Sequence, residues 1–260
     1  MDTLSLALLA VAALGAGVLN AMAGGGSFLT FPALVATGVP PIVANATSAM
    51  AVAPGYLGST LGFRDEIAAQ PRRRLWLEMA IVALGGVLGA LLLLVTPSHV
   101  FSGIVPWLLG FATLLFALGP RLTAWARGHQ PGHPTDPSTP DAGHLSPWRA
   151  VVILLVATYG GYFNGGLGIL LMAVYLLLGE TQLNTVNALK NLNSLVLSVL
   201  SVVAFAVAGA IVWPQALWMM VWATLGGWAG ARLAKRLPMA WVRAIVIVTG
   251  VVMTLLFALK

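Results

Sequence analysis

Apolar stretches of about 20 residues, the length a helix needs to cross hydrocarbon, follow one another through nearly the whole chain. Such runs leave little room for a water-covered fold. Apolar residues make up 59% of the sequence and charged ones 8%, whereas a soluble domain carries roughly a quarter charged residues. Short strands of alternating polarity are absent. The spans are therefore helical, since in lipid an open backbone must satisfy its own hydrogen bonds. The expected class is an all-α polytopic membrane protein.

The net charge of +6 does not point to nucleic acid. Basic residues such as Arg72 to Arg74 and Lys235-Arg236 sit in short loops beside apolar spans, where they orient helices by the positive-inside rule. The chain has no cysteine, so disulfides and thiolate metal sites are excluded. Ala21-Met22-Ala23 has the small-x-small form of a signal cleavage site, but Asp2 and the lack of an early Lys or Arg argue against a leader.

An internal repeat organises the rest. Leu84-Gly85-Gly86-Val87-Leu88-Gly89-Ala90 returns as Leu225-Gly226-Gly227-Trp228-Ala229-Gly230-Ala231, and Thr113 to Leu118 returns as Thr254 to Leu259. Both matches lie 141 residues apart, as do Gly24-Gly25 and Gly165-Gly166, and Gly38 and Gly179. Asn45-Ala46 meets Asn187-Ala188 after a one-residue insertion. Residues 1–121 and 148–260 read as two repeats, joined by a flexible Pro/Gly/Ser/Thr-rich linker over 122–147. His129, His133, His144, Asp136 and Asp141 within it lack metal-ligand spacing. No metal or other cofactor is expected.

Loop charge sets the direction of each half. Arg64 and Arg72 to Arg74 place one loop in the cytoplasm, as do Arg121, Arg127 and Arg149 for the linker, and Arg232, Lys235, Arg236 and Arg243 for a later loop. The loops at Thr96 to Val100 and Gly209 to Pro214 carry no Lys or Arg and are expected outside. Equivalent loops then lie on opposite faces, so the halves are inverted. The expected segments are 4–22, 27–38, 43–62, 75–95 and 100–120, then 149–163, 167–179, 185–206, 214–234 and 240–259. The second of each five is too short for a full span and reads as a half-helix or re-entrant element. Both termini would be periplasmic in a bacterial inner membrane.

Two Gly-rich breaks precede those short segments, at Asn20 to Ser27 and at Asn164 to Gly168. A break exposes the first N–H groups of the helix after it, and such a terminus suits an anion. Small residues can equally serve close helix packing, so each break taken singly leaves both readings open. Asn184, Asn187, Asn191, Ser194 and Ser198 recur at spacings of three and four, forming one helical stripe bordered by Lys190. Lys190 is read as the one charge well inside an apolar span. Snorkelling from the helix start is the alternative. Glu78, Arg232 and Arg243 are expected to reach the interface. The first half supplies Asn45, Thr47 and Ser48 at the matching place.

Two inverted halves, "NAMAGGGSFLTFPAL" with "NATS" following, and "FNGGLGILL" with "NALKNLNS" following, resemble the TauE/SafE sulfite exporter family. The likeness covers both halves. It implies a transporter that moves sulfite, sulfoacetate or a related sulfonate outward, with Gly24, Gly25, Gly26, Ser27, Asn45, Thr47, Ser48, Asn164, Gly165, Gly166, Gly168, Asn187, Lys190 and Asn191 at the substrate. The expected partners are that small anion and the lipid bilayer. Oligomeric state is left open. The two breaks and the two polar third helices are expected to meet at the membrane centre. There, N–H groups of Gly25 to Ser27 and Gly166 to Gly168, with Asn45, Ser48, Asn187, Asn191 and Lys190, would hold the anion. Alternating access would follow from one repeat rocking against the other. No Asp, Glu or His is expected within the membrane as a proton relay, and an interior-negative potential already favours export by roughly 2.3 kcal/mol per charge per 100 mV. An anion channel, or a transporter of a different small solute, is the alternative. An enzyme is not expected, since no apolar span pairs a nucleophile with a base.

Overall fold

The computed structural model describes residues 2–22, 25–128, 146–233 and 239–259. Gly24, the five His and Asp residues of the linker named above, and Lys235-Arg236 lie outside the described residues, as do the side chains of Arg232 and Arg243. The described chain is helical throughout, with no strand among the described residues. The helices are α1 (Thr3–Met22), α2 (Ser27–Ala36), α3 (Pro41–Gly62), α4 (Arg64–Ala68), α5 (Arg72–Val95), α6 (Ser98–Gly128), α7 (Pro147–Tyr162), α8 (Leu167–Leu177), α9 (Leu183–Val207), α10 (Trp213–Leu233) and α11 (Met239–Ala258). Each expected segment is a helix. The exposed single turn of α4 is additional, and α6 runs on through residues 122–128, where the linker was expected to begin.

Among the described residues, four helices are long and apolar enough to cross a membrane: residues 3–20 of α1, α5, residues 98–119 of α6, and α9. Large apolar side chains cover the outside, among them Trp76, Trp107, Trp148, Leu91, Leu155 and Val203. That surface suits hydrocarbon. The short α2 and α8 have 10 and 11 residues. Each stops at a glycine with positive φ, Gly38 at 86° and Gly179 at 93°. The next amide closes the same six-residue turn in both, Val39 N–H to the Leu34 carbonyl and Glu180 N–H to the Tyr175 carbonyl. The breaks before α2 and α8 likewise contain equivalent positive-φ glycines, Gly25 and Gly166.

Helix directions follow from paired contacts. Trp218 Nε1–H donates to the Leu6 carbonyl, and Gly226 lies on Leu14, so α1 and α10 run side by side in the same sense. Gly85 lies on Leu154 and Gly89 on Thr158, which makes α5 and α7 parallel. Asn193 reaches Glu78 and Ser201 reaches the Gly86 carbonyl, both 115 residues apart, so α5 and α9 are parallel too. Helices α9 and α10, of 25 and 21 residues, are joined by five residues through the positive-φ turn at Gly209. The packing partners exchange consistently: α1 with α10 and α7 with α5, α3 with α10 and α9 with α5, α2 with α3 and α8 with α9.

The repeated Gly-Gly strings make these contacts possible. An added Cβ would stand 2.0 Å from the Leu14 carbonyl oxygen at Gly226, 2.0 Å from the Ala223 carbonyl oxygen at Gly17, and 2.1 Å from the Thr158 carbonyl oxygen at Gly89. Backbone meets backbone at these points, and nothing there can give way. Gly226→Ala and Gly89→Ala should each destabilise by about 1–3 kcal/mol, the usual cost of overpacking. Gly103→Ala, whose Cβ would meet nothing within 4 Å, should be neutral. Thermal unfolding of the detergent-solubilised protein checks the contrast.

Candidate functional site

Both breaks converge on α3. Gly55 of α3 lies beside Asn20, with a would-be Cβ 3.6 Å from Asn20 Nδ2. Its neighbour Tyr56 is buried and brings its hydroxyl 3.5 Å from Asn164 Oδ1. Two consecutive residues thus touch one break each. Phe31 of α2 also packs edge-on against Phe163 beside the second break, with ring centroids 5.7 Å apart.

The two breaks solve their polar demand differently. In the first, Asn20 Oδ1 accepts from Gly25 N–H at 3.1 Å and Gly26 N–H at 2.8 Å. Those two donors, expected to be free for an anion, are already held by a carboxamide of the same chain. Ser27 is buried just after them. In the second break, Asn164 precedes the glycines directly and its side chain caps no N–H. Tyr159 donates to the Gly165 carbonyl at 2.6 Å, and Asn45 Nδ2–H donates to the Tyr162 carbonyl at 3.1 Å. Carbonyls are satisfied there, whereas the N–H groups of Gly166, Leu167 and Gly168 have no hydrogen-bond acceptor among the described residues.

Several expected site residues have structural partners. Thr47 Oγ1 accepts from Val212 N–H at 3.1 Å and anchors the start of α10. Ser48 and Thr30 share a hydrogen bond of 2.6 Å between α3 and α2. On α9 the situation is reversed. Lys190 and Asn191 are each 7% exposed and have no hydrogen bond or ion pair among the described residues. The hydroxyls of Ser194 and Ser198 are buried without a partner. Asn187 is half-buried and Asn184 exposed.

Depth along α9 separates these groups. Leu167 and Leu197 both close on Gly160, so the start of α8 is level with Leu197. The register of 115 with α5 puts Lys190 level with Leu75, beside the basic start of α5. Lys190 therefore lies about 10 Å from the second break along the helix axis, at 1.5 Å per residue. The polar stripe runs from the level of the break towards the basic start of α5, with Lys190 about two turns away from the break rather than beside it.

Glu78 departs from expectation. Instead of reaching the interface it is 1% exposed, making it a second buried charge besides Lys190 and a carboxylate within a span. Tyr175 Oη–H donates to its Oε1, Asn193 Nδ2–H approaches Oε1 at 3.4 Å and donates to Tyr175, and Arg74 and Arg149 stand 3.8 and 3.7 Å from Oε2. These partners come from α5, α7, α8 and α9, which no local pattern could join. The four tyrosines of the chain offered the one usable hint, since a tyrosine in an apolar span needs a partner for its hydroxyl. Tyr56, Tyr159 and Tyr175 all have one.

A family model described as "Sulfite exporter TauE/SafE" matches residues 9–257. A probable membrane transporter protein of Haemophilus influenzae is 28% identical over 256 residues, covering 96% of this chain and 92% of its own length. Another from a Sinorhizobium species is 29% identical, covering 90% of this chain and 84% of that protein. A third, from Escherichia coli K12, is 26% identical, with 98% and 90% covered. No solved structure matches.

Replacing Asn20 by Ala removes the acceptor for two amides in a dry setting. The expected loss is about 1–3 kcal/mol, as for a buried donor left unpaired, read as a lower unfolding temperature of the purified protein. Asn164→Ala, which strands no backbone amide, should cost less in the same measurement.

Proposed function

This chain belongs to the sulfite exporter TauE/SafE family, and on that premise we propose that it exports a small sulfur-containing anion. Sulfite, sulfoacetate or a related sulfonate would cross the bacterial inner membrane by alternating access between two inverted repeats. The observation that carries the reading is Lys190: a buried ammonium on α9 with no carboxylate or acceptor among the described residues. An ionised group inside a membrane protein is costly without a counter-charge. A dianionic or monoanionic oxyanion supplies one, and its oxygens can accept from Asn191, Ser194 and Ser198 along the same stripe. The N–H groups of Gly166, Leu167 and Gly168 lie at the far end of that path, where the start of α8 favours negative charge.

The inverted arrangement is supported by the exchange of packing partners, α1 on α10 and α7 on α5, and by the opposite charge of equivalent loops. Basic residues at the starts of α5 and α7 and at the α3–α5 turn favour placing that end in the cytoplasm, with both termini periplasmic. An interior-negative potential then drives an anion outward without a coupling ion. The relatives' names go no further than membrane transport, so the sulfur anion rests on the family and on the chemistry of the stripe.

Sulfite efflux from proteoliposomes tests this. Lys190→Ala should lower flux at low substrate about ten- to a hundredfold, which is what losing a charge-assisted contact worth roughly 1.5–3 kcal/mol implies. Lys190→Glu should abolish it, and Lys190→Arg should retain part. Undiminished flux in Lys190→Glu would remove the anion reading, and flux that never saturates with sulfite would favour a channel.

A further inference from the structure

The charged side chains that the transport path leaves unused gather at its basic end. Arg74 and Arg149 both donate to Glu180 Oε1, Arg149 at 3.0 Å, and Arg149 also reaches the Leu178 carbonyl at 3.4 Å. The Arg149 guanidinium lies 5.7 Å over the Tyr175 ring. Glu180 follows α8, so these contacts tie the α8–α9 turn to α5 and α7. Below them sits Glu78, held by Tyr175 and Asn193 through Oε1 alone. Its Oε2 is buried with no hydrogen bond, and so is Arg149 Nε. Both guanidiniums form long ion pairs with that oxygen, Arg74 at 3.8 Å and Arg149 at 3.7 Å, without a hydrogen bond.

If the α8–α9 turn were to move away with Glu180, Arg74 and Arg149 would not be stranded, because both already pair with Glu78 Oε2 and a small shift would bring either within hydrogen-bond range. Stranding is what normally makes rupture of a buried ion pair so costly. A cluster with a reserve partner can open and close.

The equivalent place in the other half carries no such charges. At the repeat offset of 141, Glu78 corresponds to Met219, Tyr175 to Leu34 and Glu180 to Val39. With the one-residue insertion, Asn193 corresponds to Ala51. Met219, Leu34, Val39 and Ala51 are all buried and belong to one apolar cluster. We propose that these two places are the gates of the alternating-access cycle. The Arg74–Glu180–Arg149 latch, with Glu78 as its reserve partner, closes the basic end, and the Leu34–Val39–Ala51–Met219 plug closes the opposite end. The proposal rests on the inverted-repeat reading above. It adds that the two ends close by different chemistry, so substitutions open them independently.

The chain lacks cysteine, which allows a single reporter, Ser198→Cys on the α9 stripe. Its labelling by a membrane-impermeant methanethiosulfonate is followed in right-side-out and in inside-out vesicles. Glu180→Gln should raise the labelling rate from the basic face about tenfold or more, as expected when two half-buried guanidiniums lose a shared carboxylate. The rate from the opposite face should not rise. Met219→Ala should do the converse. Arg149→Lys keeps the charge but cannot bridge two carboxylates, and as a gentler variant it should move the basic-face rate in the same direction. A variant that has lost its fold labels quickly from both faces, which separates misfolding from gating. The gate proposal is overturned if Glu180→Gln and Arg149→Lys both leave the basic-face rate within about twofold, the range of an ion pair that contributes nothing. If Glu180→Gln, with its unfolding temperature retained, raises labelling from both faces together, alternating access itself falls, because opening one end then does not close the other.

Discussion

A peptide group inside hydrocarbon has no water to fall back on, and every bend in this chain is governed by that condition. Uninterrupted helix satisfies it automatically. The two breaks do not, and each is tolerated because neighbouring elements fill the vacancies. Asn20 folds back onto the amides of Gly25 and Gly26, while Asn45 and Tyr159 reach the carbonyls at Tyr162 and Gly165. The described residues of both breaks, Gly25 to Ser27 and Asn164 to Gly168, are buried, and α3 touches one break through Gly55 and the other through Tyr56.

Close approach of backbones is the second half of the same solution. In lipid, helices gain little from burying apolar surface and associate through tight van der Waals contact. The glycines at Gly17, Gly89 and Gly226 allow that contact by removing a side chain where another helix's carbonyl must pass. Because each first helix packs on the other half's fourth helix, the two halves are interleaved rather than set side by side.

Electrostatics supplies the asymmetry that the repeated backbone lacks. Two buried charges lie on neighbouring helices near one end. Glu78 is enclosed by donors from four elements, whereas Lys190, roughly level with it along α9, has none among the described residues. The hydroxyls of Ser194 and Ser198, buried without a partner, continue the polar track from Lys190 towards the level of the second break.

Local sequence determined what local physics controls. Hydropathy and run length gave the helices nearly to the residue, since each span must match the bilayer on its own. Glycines 141 residues apart marked both breaks and the ends of α2 and α8, because a positive φ or a close backbone approach excludes other residues at that position. The stripe from Asn187 to Ser198 followed from helical period alone. Tertiary structure decided the rest. Whether the amides at Gly25 and Gly26 were free depended on where the Asn20 side chain turned. Whether Glu78 reached water depended on Tyr175 and Asn193, which lie 97 and 115 residues away. The depth of Lys190 was fixed by the register of α9 on α5. A hydrogen bond or ion pair between distant segments depends on how two helices are aligned against each other. Nothing in the composition or period of either helix encodes that alignment.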